Sequence, residues 1–495
     1  MISSSSPEDR PRRRGPHAAV VVFLAALAAG IAVRWWQLRG RDPLEWNDTA
    51  DFLSSSKEPW FSAELWIGRR SPLTPVILKA LGDDLGSYLT FQALVAAVCW
   101  AALAASVWTA VGPRWGRLAS AVAIVAFSLT DPVTMWDQSV LSESLSGSVL
   151  ALVVAAGVQV AARPTRAAVG GLVGALALWL ALRDSPAVVA VTGGLALCAV
   201  LVTRRLWARR RRPVAAGGEA GDGPGPAAPG RRAGGRFGSL TPLSALAAGA
   251  LVLGIATLAA SNHGSRHVFP VRNVLQVRVL PYPDRVEWFA DHGMPQSDEF
   301  IGPGSRRPSR EPGRAPVTYV PDSASDDGME EWFAWLESDA RGTFARWVLT
   351  HPGYVVTEPY EAPERTFNNA GGDRQFYAFS DRRKLPLVDG LLAQRSWVVV
   401  VVGSVATGFV IGRGRYTPAF VAGAVAAALA LPHALVAWHS DGMETARHLV
   451  IPALQLHLGV LLMVIGTLRP APRHEPPADV SVQAATGGRV VSDHG

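Results

Sequence analysis

The stretch RRRGPHAAVVVFLAALAAGIAVR, residues 12–34, decides the class of fold. Three arginines, Arg12 to Arg14, precede an apolar run over 17–34, and Arg34-Trp35-Trp36 closes it. A secretory signal peptide begins the same way but ends in a small-x-small cleavage site followed by a mature soluble domain. Neither follows this run, so it reads as a signal anchor. Outward from it, apolar runs recur at 88–111, 117–130, 143–162, 167–182, 186–203, 243–261, 396–412, 417–438 and 448–468. A spanning helix needs about 20 mostly apolar residues, and the runs at 117–130 and 167–182 are short for that. The expectation is an all-α polytopic membrane protein with about ten transmembrane helices and a small mixed extracytoplasmic domain.

Composition agrees. Of 495 residues, 49% are hydrophobic and 18% charged, with mean hydropathy +0.19. Soluble domains carry about 25% charged residues, so the chain is neither disordered nor an ordinary soluble enzyme. The net charge of +7 comes from 47 basic and 40 acidic residues. A nucleic-acid binder gathers such an excess on one soluble face. Here the excess flanks apolar runs, at Arg204 to Arg212, Arg231 to Arg236 and Arg469 to Arg473, so no nucleic-acid partner is expected. Cys99 and Cys198 both lie inside apolar runs and read as small buried residues, not as a disulfide framework.

Basic residues also orient the helices, because cytoplasmic loops carry the excess of arginine and lysine. With the N-terminus inside, Arg114 and Arg117, Arg163 and Arg166, the 204–240 segment, Arg413 and Arg415, and the C-terminal tail all fall inside. The outer face receives 35–87, 131–142, 183–185, 262–395 and 439–447. The expectation is therefore a multi-pass protein of the cytoplasmic membrane with both termini cytoplasmic. Four regions follow: a membrane module over 1–261 with a Gly/Pro/Ala-rich cytoplasmic linker at 204–240, a loop domain over 262–395, membrane helices over 396–470, and a disordered tail over 471–495. Within the loop domain, 329–349 has aromatic residues at helical spacing and predicts one amphipathic helix, while 302–316 predicts a mobile loop.

The candidates for chemistry lie on the outer face. Asp48 and Asp51, at i and i+3, share one helical face and can share one site. A carboxylate at a membrane boundary suits a general base, but Asp48 before Thr49-Ala50 is also a good helix N-cap. Arg69 and Arg70 precede the Pro72 and Pro75 helix start and can hold a phosphate or simply meet anionic lipid. Glu143 opens an apolar run, where a carboxylate is expensive unless it faces a partner or cavity, although a charge there also suits the helix dipole. Asp131 and Asp137 read as plain loop residues. Arg447 and His448 open the final run, where Arg447 suits a phosphate or a salt bridge to Asp441 or Glu444. His439, His448 and Asp441 match no metal-ligand spacing. No phosphate-binding glycine loop and no GxSxG elbow occurs.

Four segments carry a family resemblance: Asp48-Thr49-Ala50-Asp51-Phe52, Arg70-Ser71-Pro72-Leu73-Thr74-Pro75, Leu141-Ser142-Glu143-Ser144-Leu145 and Ala446-Arg447-His448-Leu449-Val450-Ile451-Pro452. In their order the chain resembles the GT-C class of integral-membrane glycosyltransferases, in the polyprenyl-phosphate-sugar-dependent mannosyltransferase and aminoarabinose-transferase-like group. The likeness covers roughly the first 150 residues and a short stretch near 447. It departs from the group at Asn47-Asp48, where many relatives have an Asp-Glu pair, at Ser71, and at His448, where a tyrosine is usual.

The resemblance implies an inverting sugar transfer from a polyprenyl-phosphate donor to a lipid or glycan acceptor, in contact with membrane lipids. Asp48 would be the general base, Glu143 with Asp51 in support would orient the acceptor or help the base, and Arg447, with Arg69 or Arg70 and with His448 beside it, would hold the leaving phosphate. No cofactor is required, though a divalent metal between Asp48 and Glu143 is compatible. Two other classes stay open. A transporter or lipid flippase would show charges near the bilayer midplane. A non-catalytic scaffold would leave Asp48, Glu143 and Arg447 more than about 15 Å apart.

Overall fold

A computed structural model describes residues 17–210, 240–296, 306–307, 317–318, 329–361, 396–413, 416–440, 442 and 445–468. The first apolar run forms α1 (His17–Leu38). A short-helix loop follows, with α2 (Asn47–Ser56), α3 (Ala63–Ile67) and α4 (Leu73–Ala80). Then come α5 (Leu85–Ala110), α6 (Arg114–Ser128), the single turn α7 (Asp131–Thr134), α8 (Glu143–Ala162), α9 (Arg166–Leu182), α10 (Pro186–Arg210) and α11 (Leu240–His263). The loop layer holds α12 (Val268–Val274), a π-turn (Leu275–Val279), α13 (Pro283–Asp291), α14 (Glu330–Ser338), α15 (Ala340–Thr350) and α16 (Pro352–Glu361). The C-terminal helices are α17 (Ser396–Arg413), α18 (Pro418–Ser440) and α19 (Thr445–Ile465).

Every predicted apolar run is helical, and seven of these helices are long and apolar enough to cross a membrane. They are Ala18–Leu38, Leu85–Ala110, Glu143–Ala162, Pro186–Trp207, Pro242–His263, Pro418–Ser440 and Arg447–Ile465. The apolar parts of α9 and α17 are shorter, and α6 has 15 residues. At 1.5 Å per residue, α6 measures about 22 Å, below a hydrocarbon core of about 30 Å. Helix α10 continues through Arg204 and Arg205 to Arg210, so the expected linker is helical at its start. The remainder of the linker at 211–239 and the tail at 471–495 lie outside the described residues.

The helix ends follow local chemistry. Asp84 caps α5 by accepting from the Gly86 and Ser87 amides, and Thr165 caps α9 by accepting from Ala168. Pro113 precedes α6, while α10, α16 and α18 begin with proline, whose missing N–H costs nothing in a first turn.

Two cores form. The larger packs Trp100, Leu103, Leu150, Trp179 and Leu454 among α5, α8, α9 and α19. Lipid-like apolar surface stays outside it, as at Val21, Val98, Val252 and Val405. The second core belongs to the loop layer and joins Val274, Leu275, Phe289, Trp332, Trp335 and Trp347. This layer is helical among the described residues, apart from the two-residue antiparallel pair β1 (Arg306–Arg307) and β2 (Val317–Thr318). The single helix predicted over 329–349 is two. Asp339 departs from helical geometry, with φ −116° and ψ −25°, and the chain restarts at Ala340. The aromatic face is buried as the spacing implied.

Helices α18 and α19 approach most closely. A Cβ on Gly423 would lie 2.4 Å from the Gly459 carbonyl oxygen, and one on Gly466 would lie 2.5 Å from the Phe420 amide nitrogen. Glycine at these points lets the backbones touch, as in other small-residue membrane interfaces.

The helices alternate in direction. Arg34 near the end of α1 donates to the Ser128 carbonyl at the end of α6. Tyr88 in the first turn of α5 donates to the Leu141 carbonyl just before α8. Gly264 after α11 abuts Gly68, and α19 starts beside the α8 start. One end of the bundle thus gathers the termini of α1, α5, α6, α8, α9, α10, α11 and α19. Arg114, Arg117, Arg163, Arg166, Arg204 and Arg205 stand at the other end.

Candidate functional site

The gathered end holds a ladder of alternating charges. Arg183 Nη1 lies 2.9 Å from Glu143 Oε1, and Arg447 Nε donates to that same oxygen at 2.5 Å. Arg447 Nη2 reaches Asp48 Oδ2 at 2.7 Å, and Arg70 Nη2 reaches Asp48 Oδ1 at 2.8 Å. Arg70 also pairs with Asp51. Three guanidinium groups thus alternate with three carboxylates.

Each rung has a local cause. Asp48 and Asp51 lie on one face of α2, as their spacing implied, and that face meets Arg70. Asp48 does not cap the helix: Trp46 occupies the N-cap, and Thr49 Oγ1 accepts from the Trp46 amide. The Thr49 hydroxyl donates in turn to the Val140 carbonyl. Leu44 and Ser139 form a parallel bridge, and Gln138 donates to the Asp42 carbonyl. The first loop is therefore stitched to the segment that leads into Glu143.

Asp137 is not a plain loop residue. It is buried, pairs with Arg34 at 2.7 Å and accepts from Ser144 at 2.6 Å. A buried carboxylate needs such partners, and these pin the first turn of α8. Glu143 is the first residue of that helix and Arg447 sits in the first turn of α19.

From Glu143 outward, exposure rises along the ladder. The side chains of Glu143, Arg447, Asp48, Arg70 and Asp51 are 0%, 3%, 23%, 27% and 56% exposed. Glu143 is sealed, so it can act only through Arg183 and Arg447. Asp48 is the rung that is both anchored and open. Burial opposes charging of its carboxyl, but Arg447 and Arg70 together overcome that and hold its pKa down at about 2. Both of its oxygens are engaged.

Arg69 is exposed and makes no ion pair among the described residues, whereas Arg70 joins the ladder. His448 stands beside the ladder, with Nδ1 2.8 Å from Arg183 Nη2. Asp441 and Glu444, the expected partners of Arg447, lie outside the described residues. Arg447 engages Asp48 and Glu143. Among the described residues no group of three His, Cys, Asp or Glu side chains is arranged to hold a metal ion.

The sequence reading missed Arg183, Asp184 and Arg266. Asp184 accepts from Arg266 Nη1 at 2.9 Å and from Ser71 Oγ at 3.2 Å, and Arg266 Nε donates to the Gly68 carbonyl at 2.6 Å. The Arg183 loop and the Arg70 loop are thereby registered against each other. The signal was present: Arg183-Asp184-Ser185 is a charge pair and a serine stranded between two apolar runs.

A second charged cluster ties the loop layer to the bundle. Glu358 of α16 faces Arg278 at 3.5 Å, Arg285 at 3.3 Å and His439 at 3.8 Å. Arg278 lies over the Trp438 ring and donates to the Thr445 hydroxyl at 3.0 Å, two residues before Arg447. Burial, and next the Glu358 charge, push the Tyr354 hydroxyl above its ordinary pKa.

No family model matches the sequence, and no curated protein matches it.

Proposed function

We propose that the chain is a membrane glycosyltransferase of the GT-C type. It moves a sugar from a polyprenyl-phosphate donor to an envelope acceptor on the outer face of the cytoplasmic membrane. One observation carries the reading: Arg447 touches both Asp48 and Glu143. A catalytic constellation must fall within one substrate's reach, and these three residues are nearly 400 positions apart at the extremes of the chain.

The proposed chemistry uses the open half of the ladder. The donor phosphate competes with Asp48 for Arg70 and Arg447, which are charged at all working pH values. As those arginines turn to the phosphate, Asp48 loses its partners and becomes a better base. The acceptor hydroxyl or amine attacks the anomeric carbon from the face opposite the phosphate. Its proton passes to Asp48, and the carbon–oxygen bond breaks with the electron pair leaving on the phosphate. Arg447 and Arg70 offset that growing charge. Glu143 keeps Arg447 aimed, and Asp51 does the same for Arg70.

In this proposal α6, α9 and α17 also cross, giving ten spans with both termini cytoplasmic. The arginines at the end opposite the ladder suit that orientation. Trp60, Phe61 and Trp66, all exposed beside α3, suit a headgroup-level position for the first loop. The 262–395 layer would cap the site on the outer side.

A transporter is the second reading, favoured by polar residues within the spans. His433 of α18 bonds Gln455 of α19 at 2.9 Å, and His457 is buried nearby in the sequence.

The test is sugar transfer from a pool of polyprenyl-phosphate sugars to native envelope acceptors, with wild type and Asp48→Asn at equal folded yield. Loss of about 10²-fold or more in Asp48→Asn is expected for a general base. Equal activity removes Asp48 from that role. Ion- or substrate-driven uptake into proteoliposomes without any transfer replaces the transferase reading with the second one.

A further inference from the structure

We infer that Arg278 is a positioning residue that couples the loop layer to the ladder: it holds the start of α19 where Arg447 grips Asp48. The coupling stands on geometry; what it serves in sugar transfer rests on the transferase reading.

Arg278 belongs to the π-turn Leu275–Val279, whose hydrogen bonds span one residue more than in an α-helix. Such turns occur mostly at functional sites. The Arg278 side chain is 7% exposed, and a buried arginine is costly unless its charge is met. Three helices meet it. Glu358 of α16 lies 3.5 Å from Nη1, and the Trp438 ring in the last turn of α18 lies 4.6 Å from the guanidinium carbon. Nη2 donates to Thr445 Oγ1 of α19 at 3.0 Å. One guanidinium thus joins the loop layer, the end of α18 and the start of α19.

Thr445 is the first residue of α19, and Arg447 follows two residues on. The Thr445 hydroxyl donates to the Gly442 carbonyl at 3.2 Å, so Arg278, Thr445 and Gly442 form one chain of hydrogen bonds. Gly442 is pressed on the same layer: a Cβ there would lie 2.4 Å from the Asn273 carbonyl oxygen. The start of α19 is therefore seated on α12 and the π-turn. Residues of one helical turn move together, so a shift at Thr445 carries Arg447 with it. Arg447 reaches Asp48 Oδ2 at 2.7 Å and Glu143 Oε1 at 2.5 Å, and neither bond survives a displacement of about 1 Å.

The near side of the clasp is tied as well. Arg285 Nη1 faces Glu358 Oε1 at 3.3 Å and donates to the Arg278 carbonyl, and His439 Nε2 lies 3.0 Å from the Val355 carbonyl oxygen of α16. Glu358, Arg278, Thr445, Arg447 and Asp48 therefore form a continuous path from the loop layer to the ladder. In the transferase reading, a seated loop layer keeps Asp48 paired, and its displacement frees the base.

The experiment is 13C NMR of the full chain in nanodiscs, labelled at the aspartate carboxyl carbon, which reads the ionisation of Asp48 directly. Asp48→Asn identifies its resonance. Asp48 faces Arg447 and Arg70, with Asp51 sharing Arg70 and with His448 close by. Thr445→Val changes none of these and removes a hydroxyl but no charge, so a shift in that variant comes from geometry. Wild-type Asp48 is expected to titrate at about 2. Thr445→Val and Arg278→Met are both expected to raise it toward 3.8, and Thr445→Ser, which keeps the hydroxyl, to leave it in place. Leu336→Val weakens the loop core without changing the clasp, so it should lower the unfolding midpoint and leave Asp48 unmoved. An unmoved Asp48 in Thr445→Val overturns the inference, whether or not Arg278→Met folds. An equal rise in Leu336→Val also overturns it, because the effect is then general loosening. The titration needs no sugar donor. If Asp48→Asn loses transfer while Thr445→Val leaves Asp48 unmoved, the transferase reading stands and the coupling falls. If Thr445→Val raises Asp48 while Asp48→Asn transfers sugar as well as wild type, the coupling stands and the base assignment falls.

Discussion

Glu143→Gln keeps the side chain's size and removes its charge at the sealed end of the ladder. In the wild type, one Glu143 oxygen faces both Arg183 and Arg447. Arg447 would still have Asp48, but Arg183 makes no other carboxylate contact among the described residues. Stranding a buried charge in this way costs about 3–5 kcal/mol. Asp51→Asn removes the same charge at the open end, where the side chain is 56% exposed. Solvent screens that pair, and such pairs are worth about 1 kcal/mol or less. The two substitutions should therefore differ by at least about 2 kcal/mol. The assay is denaturant unfolding in mixed micelles, followed by the fluorescence of the 17 tryptophans. The double variant Glu143→Gln/Arg183→Met should recover part of the loss, because removing both partners leaves no stranded charge. Equal costs for Glu143→Gln and Asp51→Asn, or a double variant worse than the sum of its parts, would refute the burial gradient as the basis of the ladder.

Further outcomes are expected. Asp48 is held from 3.8 down to about 2, so its charged form contributes stability that is complete above about pH 4 and is lost as pH falls toward 2. At 1.36 kcal/mol per unit the contribution is about 2 kcal/mol, and the stability gap between wild type and Asp48→Asn should close over that window. Gly264→Ala places a methyl 2.2 Å from the Gly68 carbonyl oxygen. It should cost about 1–3 kcal/mol in the same unfolding assay, and an unchanged midpoint would show that this contact is slack. Gly459→Leu forces a side chain against Ala427 and Gly423. It should separate α18 from α19 and lower folded yield in detergent, measured by size-exclusion profile. Cys99 is buried and should resist maleimide until the bundle unfolds.

The apolar periodicity exposed the helices because burial in lipid needs long uncharged runs, and each such run is a helix in the structure. Asp48, Glu143 and Arg447 were visible as charges at the edges of those runs, where their cost demands a partner. Their partners were less visible. Asp137 looked like a loop residue because nothing local separates a solvated loop charge from a buried one, whereas Arg183 stood in a three-residue gap between apolar runs whose signal was passed over. Burial of Asp137 is conferred by Arg34, over a hundred positions earlier, and that of Arg183 by Glu143 and His448. The N-cap rule pointed Asp48 to its own helix, but two arginines brought by tertiary packing outcompete one backbone amide. The break at Asp339 went unseen since aromatic spacing runs on through it.

The ladder also bears on how the protein comes into being. Its rungs come from positions 48, 51, 70, 143, 183 and 447, and the last belongs to α19, the final helix among the described residues. Synthesis proceeds from the N-terminus, so a nascent chain holds Asp48 with Arg70 and Glu143 with Arg183 as two separate pairs. Only insertion of α19 joins them. A chain that stalls or is clipped before Arg447 keeps most of its membrane helices but leaves the two halves apart. Docking of α19 is thus the event that completes the ladder, and a copy lacking it holds only the two separate pairs.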